Sequence, residues 1–282
     1  MKKLILSIIA IQLCLIAFSQ VEPICHTAST EKFAMFASNS DFGAEHSMPS
    51  DYIHVSQAGG EQIQFDCPDG KAAHAYYLKA KKPTNNWIFV FQEWWGLNDN
   101  VKRESENLYN DLGNVNVLAL DMYDTRLATN REDAAKYMQE FKQERGDQIV
   151  KGALKFAGSK AKIGTVGWCF GGGQSLLAAL SSGKQAVACV MYYGMPVDDV
   201  EILKTLNCDV LNVWATRDKW INEKVISKFE ANMKLANKKI KSLSYDADHA
   251  FANPSNGSEI YKEEAYKDAY KNTIDYFKSR FK

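Results

Sequence analysis

Read from residue 51 onward, the chain alternates short apolar runs with longer amphipathic stretches. Glu61 to Asp66 and Ala72 to Leu78 read as two strands around the turn Pro68-Asp69-Gly70. Trp87 to Phe91 and Val115 to Leu120 are continuous apolar runs, the signature of strands buried on both faces. Ile163 to Val166, Ala186 to Tyr192, Val210 to Trp214 and Lys241 to Tyr245 continue the series. Between them lie helical patterns at Val101 to Leu112, at Arg131 to Phe156 as one long element, near Val200 to Leu206, at Asn222 to Leu235 and from about Ile260 to the end. Strands alternating with helices predict an α/β fold: a mainly parallel sheet with helices on both faces and antiparallel edge strands at the start. In such sheets the chemistry lies beyond the carboxyl ends of the strands.

The first 50 residues do not share this pattern. Lys2 and Lys3 precede a run from Leu4 to Phe18 broken only by Ser7 and Gln12, followed by Ser19. A positive start, a short apolar core and small residues predict a signal peptide over 1–19, hence an exported protein, periplasmic or secreted. The run is short for a bilayer span of about 20 residues, so no stable membrane anchor is expected after cleavage. Residues 20–50 read as an N-terminal extension packed on the main domain, with a short helix from Glu31 to Ala37 capped by Ser29 or Thr30. The main domain spans 51–282.

Composition adds exclusions. Of 282 residues, 46% are hydrophobic and 24% charged, an ordinary globular balance. Without Lys2 and Lys3, 32 basic residues remain against 34 acidic, a net charge of about −2. No basic surface for nucleic acid is expected, and a small molecule is the default partner. The oligomeric state is not readable from the sequence. Of the six cysteines, Cys14 leaves with the signal; Cys189 and Cys208 lie in or beside strand-like runs and read as buried thiols. Cys25 and Cys67 are a candidate disulfide pair whose connectivity the sequence does not fix.

Gly167-Trp168-Cys169-Phe170-Gly171 follows a strand at once and opens a helix. This spacing suits a sharp turn that throws the central side chain outward, with glycines where Cβ atoms would strike backbone. The helix N-terminus beside Cys169 favours a thiolate. A nucleophile so placed needs a base and an acid to orient it, in the chain order nucleophile, acid, histidine. His249 is the one histidine after Cys169, and Asp218 follows the strand between them. Asp199, Asp246 and Asp248 are rivals for the acid; Asp198 and Asp199 read as helix caps. Gln92-Glu93-Trp94-Trp95-Gly96-Leu97-Asn98 follows the first buried strand, placing Glu93 near the same cleft and a backbone N–H where an oxyanion donor is wanted. Trp94, Trp95, Tyr123 and Phe251 are candidate apolar pocket walls.

With these residues in place, the chain resembles the dienelactone hydrolase family of the α/β-hydrolase superfamily over roughly 55–280. The resemblance rests on the Gln92–Asn98 motif, Gly167-Trp168-Cys169-Phe170-Gly171-Gly172, Asp218 and His249-Ala250-Phe251. It implies a Cys169–Asp218–His249 triad, Glu93 holding the resting thiol and accepting its proton, and backbone N–H groups of Phe170 and Trp94 as the oxyanion hole. It implies hydrolysis of an activated ester or lactone with no metal or organic cofactor. Family members that act on dienelactones grip the substrate carboxylate with arginines. One of those positions here is Asn253, and Asp121 to Arg126 offers only Arg126, so bidentate carboxylate recognition is weakened. Two other classes remain open on the residues alone: a catalytically silent binding protein of the same fold, and a redox-active thiol protein, although no C-x-x-C pair accompanies Cys169.

Overall fold

The computed structural model describes residues 27–48 and 52–282. The stretch read as a signal peptide and Cys25 lie outside the described residues. Eight strands form one sheet: β1 (Glu61–Asp66), β2 (Ala72–Leu78), β3 (Asn86–Phe91), β4 (Asn116–Leu120), β5 (Lys162–Trp168), β6 (Ala186–Tyr192), β7 (Val210–Ala215) and β8 (Ile240–Tyr245). Their order is β1-β2-β4-β3-β5-β6-β7-β8. β1 and β2 are antiparallel, β2 runs antiparallel to β4, and every pairing from β4 through β8 is parallel. This is the predicted α/β-hydrolase architecture.

Burial follows position in the sheet. β4 is buried at all five residues, and β3 at all but the first, because helices cover both faces. β1 and β8, at the two edges, keep alternate or scattered residues exposed. The covering helices are α3 (Asp99–Leu112), α4 (Arg131–Glu140), α5 (Gln143–Ala157), α6 (Phe170–Ser181), α7 (Val200–Lys204), α8 (Glu223–Leu235) and α9 (Glu263–Arg280). Asn98 and Asn222 cap α3 and α8 by accepting backbone N–H groups of the first turn. Asp199 caps α7 in the same way, whereas Asp198 pairs with Lys32 and Lys228.

Two elements depart from the sequence pattern. The helix expected over Arg131 to Phe156 is two helices, broken at Phe141-Lys142. No proline or glycine marks the break. Phe141 leaves helical geometry at ψ 129° and turns its ring edge-on to Phe170, 5.0 Å away. Burying that ring against the start of α6 outweighs two more residues of helix. The helix expected from Glu31 begins earlier, as α1 (Thr27–Phe36), so Ser29 and Thr30 lie inside it instead of capping it. Thr30 donates its hydroxyl to Gln143 at 2.5 Å, tying α1 to the core domain.

After α1 comes α2 (Ser40–Ala44), capped by Asn39. Phe33 and Phe42 are buried, and their rings meet edge to face at 5.7 Å. The segment 27–48 is thus bound to the sheet domain through an apolar face. Polar ties surround that face: Ser38 to Gln139, Glu45 to Lys219, Ser47 to Asn256 and Gly257, and the His46 carbonyl to the guanidinium of Arg131.

Candidate active site

β3, β5, β6, β7 and β8 run parallel, so the residues following each gather at one end of the sheet. Glu93 follows β3, Cys169 follows β5, Tyr193 follows β6, Asp218 follows β7 and His249 follows β8. Cys169 sits at φ 57°, ψ −119°, between the last residue of β5 and the first of α6. A cysteine gains nothing locally from a positive φ, and such a conformation costs about 1–3 kcal/mol. The glycines around it make the turn possible. A Cβ on Gly167 would lie 2.1 Å from the Gly171 carbonyl oxygen, and one on Gly171 would lie 2.3 Å from that of Phe91.

Asp218 and His249 are both buried, and His249 Nδ1 lies 2.6 Å from Asp218 Oδ2. The other carboxylate oxygen, Oδ1, accepts the backbone N–H groups of Trp220 at 2.8 Å and Ile221 at 2.9 Å. Burial works against a charged Asp218, but His249 and these two donors outweigh it and leave its pKa below the usual carboxylate range. Burial likewise opposes a charged His249; the Asp218 carboxylate prevails and raises the ring's pKa. Asp218 is an acceptor only, so Nδ1 of His249 carries the proton and Nε2 is turned towards Cys169. That Nε2 is buried and closes no hydrogen bond among the described residues. Of the rivals, Asp246 and Asp248 both pair with Arg217 at the surface.

The thiol's hydrogen bond goes elsewhere. Cys169 Sγ lies 3.4 Å from Nε2 of His46, which stands just past α2 in the N-terminal segment. His46 Nδ1 donates to the Phe42 carbonyl at 2.8 Å, which leaves Nε2 as the acceptor and the thiol as donor. Burial, then the neighbouring His249, lowers the His46 pKa to about 3, so its ring is neutral at neutral pH. His46 is packed between Phe42 and Trp94, each ring 4.6 Å away, and lies 5.1 Å from His249. Sγ and the two Nε2 atoms all lie within 4.8 Å of one another. Cys169, with no exposed surface, has its thiol pKa raised by burial, with His249 opposing.

Glu93 is nearly buried. One carboxylate oxygen accepts the Asn253 side-chain amide, while Oε1 has no hydrogen-bond partner among the described residues. Burial raises its pKa to about 7, against the pull of Asn253, His249 and Tyr193. A void of about 20 Å³, lined by Glu93, Asn98, Glu104, Trp168, Asn253 and Pro254, borders it; it has room for a water but not for an ester.

The Phe170 backbone N–H points at Sγ from the first position of α6, and Trp94 is buried in the loop after β3. Trp95 packs against Trp94 at 5.0 Å, and its carbonyl accepts the Ala128 N–H. Tyr123 lies over Phe170 at 5.4 Å with its hydroxyl buried. Phe251 packs against Tyr193 and Tyr245. Arg126 meets the edge of the cluster at Tyr123, whose carbonyl accepts its Nε–H at 3.1 Å, while its guanidinium is 2.7 Å from Glu140 and lies over the Tyr137 ring. Asn253 reaches Glu93 as a neutral donor.

Sequence reasoning did not find His46 or Tyr193. Tyr193, at φ 38°, stands with its ring 5.0 Å from His249. Its place directly after a buried strand was a usable signal. His46 offered none: it lies 123 residues from Cys169 in a stretch without strand–helix alternation.

Comparison with known proteins bears on the chemistry. The model of the dienelactone hydrolase family matches residues 73–281. A protein of Aquifex aeolicus (strain VF5) named as a carboxymethylenebutenolidase is 25% identical over 79% of this chain and all of its own. The protein usf of Aquifex pyrophilus is 25% identical over 78% of this chain and 98% of its own. Among solved structures, a dienelactone-hydrolase-like promiscuous phosphotriesterase from metagenomic libraries superposes with a TM-score of 0.69 at 20% identity, covering 79% of this chain and 99% of that one. These structural likenesses describe the fold.

Proposed function

The chain belongs to the dienelactone hydrolase family and is an ester-hydrolysing enzyme, and from that premise we propose that it cleaves a small activated ester or lactone through a Cys169–Asp218–His249 triad. The observation that carries this reading is the buried His249–Asp218 pair. Its 2.6 Å bond fixes the ring so that an unpartnered Nε2 faces a cysteine held on a positive-φ turn. That is the relation a base needs to its nucleophile.

In this reading the Cys169 proton passes to His249 Nε2, and Asp218 stabilises the resulting imidazolium. The thiolate attacks the carbonyl carbon. Charge on the carbonyl oxygen is met by the backbone N–H groups of Phe170 and Trp94. The tetrahedral adduct collapses to a thioester, and His249 returns its proton to the departing alkoxide. His249 then draws a proton from water, which attacks the thioester and frees Cys169. Glu93, with a pKa of about 7 and a free oxygen, serves as a second proton acceptor beside the thiol at neutral pH.

Cys169 and His249 are fully buried beneath the segment 27–48. Turnover therefore requires that segment to lift, which also removes His46 from the thiol and leaves His249 as its partner. With Asn253 neutral and Arg126 engaged by Glu140, the reading favours substrates without a carboxylate to be gripped there. Export with cleavage after Ser19 is part of the same proposal; intact mass of protein recovered outside the cytoplasm tests it.

Acyl-enzyme trapping tests the chemistry. Brief exposure to an activated aryl ester, followed by peptide mass spectrometry, is expected to place the acyl group on Cys169. Undiminished turnover by Cys169→Ala would sink the mechanism.

A further inference from the structure

One contact has no part in the hydrolytic cycle. His46 is fixed, buried and aimed at the nucleophile, yet no step of ester cleavage uses it.

The geometry around it has the character of a metal site. Three donor atoms, Sγ of Cys169 and Nε2 of His46 and His249, lie within 4.8 Å of one another. Tetrahedral zinc, with bonds of about 2.3 Å to sulfur and about 2.0 Å to nitrogen, sets its ligand atoms about 3.3–3.6 Å apart. The His46–Cys169 edge, at 3.4 Å, already has that separation. The remaining edges need to close by no more than about 1.5 Å.

Proton placement supports the same reading. His46 spends its Nδ1–H on the Phe42 carbonyl, and His249 spends its own on the Asp218 carboxylate. Metal-binding histidines are oriented in this way, by a carbonyl or carboxylate behind the ring. Both Nε2 atoms therefore face inward, beside the sulfur. The single sulfur of Cys169 is the inward neighbour of both rings. A cation that displaces the protons held there can accept an electron pair from each of the three atoms.

We propose that His46, Cys169 and His249 bind one borderline-soft divalent cation of the zinc class when the segment 27–48 is seated. A thiolate and two imidazoles select zinc or cobalt over magnesium or calcium, which prefer oxygen. Binding breaks the Cys169 S–H bond, releases that proton to solvent and forms a sulfur–metal bond; no oxidation state changes. Three protein ligands leave a fourth position for water. The bound ion latches the segment over the site and occupies the sulfur lone pair. Only the consequence that it silences turnover rests on the hydrolase reading; the binding itself does not.

The test uses the full chain, stripped with a chelator under reductant, and cobalt(II) as the probe. The expected result is saturation at one equivalent, with visible bands of a tetrahedral ion and a near-ultraviolet thiolate-to-cobalt band, all abolished by one equivalent of zinc. Cys169→Ala is expected to lose the near-ultraviolet band, and His46→Ala to bind at least tenfold more weakly. His46→Gln, with folding checked by far-ultraviolet circular dichroism, serves if the alanine variant is misfolded. No thiolate-to-cobalt band in the unsubstituted protein overturns the proposal. So does a band of equal strength and affinity in the folded His46 variants. Cobalt binding without ester hydrolysis under any condition upholds the metal site while refuting the hydrolase reading. Hydrolysis without the cobalt band does the reverse.

Discussion

Asn253 donates its side-chain amide to Glu93, so the buried carboxyl beside the nucleophile has a neutral partner instead of a cation. A cation there would hold Glu93 ionised. With an amide, burial dominates and the carboxyl titrates near neutrality.

The folded pKa of Glu93 is about 7, against an ordinary value of 4.5. Between those values the folded state holds a proton that the unfolded chain releases, so stability falls as pH rises through this window. The contribution is of the order of 3 kcal/mol. Urea unfolding at about pH 5 and about pH 8 is expected to show this loss, reduced in Glu93→Gln. Asn253→Arg is expected to shift the window to lower pH. Equal pH dependence in the parent and Glu93→Gln would count against the assignment.

Phe42 meets Phe33, Trp94, Trp220, His46 and His249, and its backbone carbonyl orients His46. Phe42→Ala removes this packing at a cost of about 3–5 kcal/mol, the usual range for a buried Phe. Most of that loss falls on the seating of 27–48. Iodoacetamide alkylation of Cys169, followed by peptide mass spectrometry, is expected to be slow in the parent and faster by an order of magnitude or more in the variant. Unchanged alkylation would mean the segment does not govern access.

Asp218→Asn keeps the shape of the site but offers His249 an amide in place of a carboxylate. The ring is then free to adopt the wrong tautomer, and the imidazolium loses its counter-charge. A fall in kcat of roughly 10³–10⁴-fold is expected, by analogy with the same change in serine-protease triads. Steady-state kinetics on an activated ester measures it; a loss below tenfold would remove Asp218 from the triad.

Gly167→Ala places a methyl group 2.1 Å from a backbone carbonyl oxygen, with no flexible side chain to give way. Destabilisation of about 1–3 kcal/mol or more is expected, read as a lower denaturant midpoint. A neutral result would show that the turn is less tightly packed than its geometry implies.

Much of this organisation is legible in the sequence because it is local. The strands announce themselves as apolar runs, and the Cys169 turn is written in its glycines. Asp218 and His249 follow from chain order once the turn is recognised. The break at Phe141 was not legible, because a long-range packing preference for Phe170 decides it, not a helix breaker. Arg126 is a substrate contact only by the family resemblance, and in space it pairs with Glu140. His46 was hidden for a related reason: its meaning arises only when the 27–48 segment reaches residues more than 100 positions away.

That segment also has a history within each molecule. It is made before the sheet domain, yet the surface that receives it includes Trp220, His249 and Asn256, among the later parts of that domain. Its docking cannot be completed before those parts are in place, so covering the sulfur is tied to the folding of the whole domain.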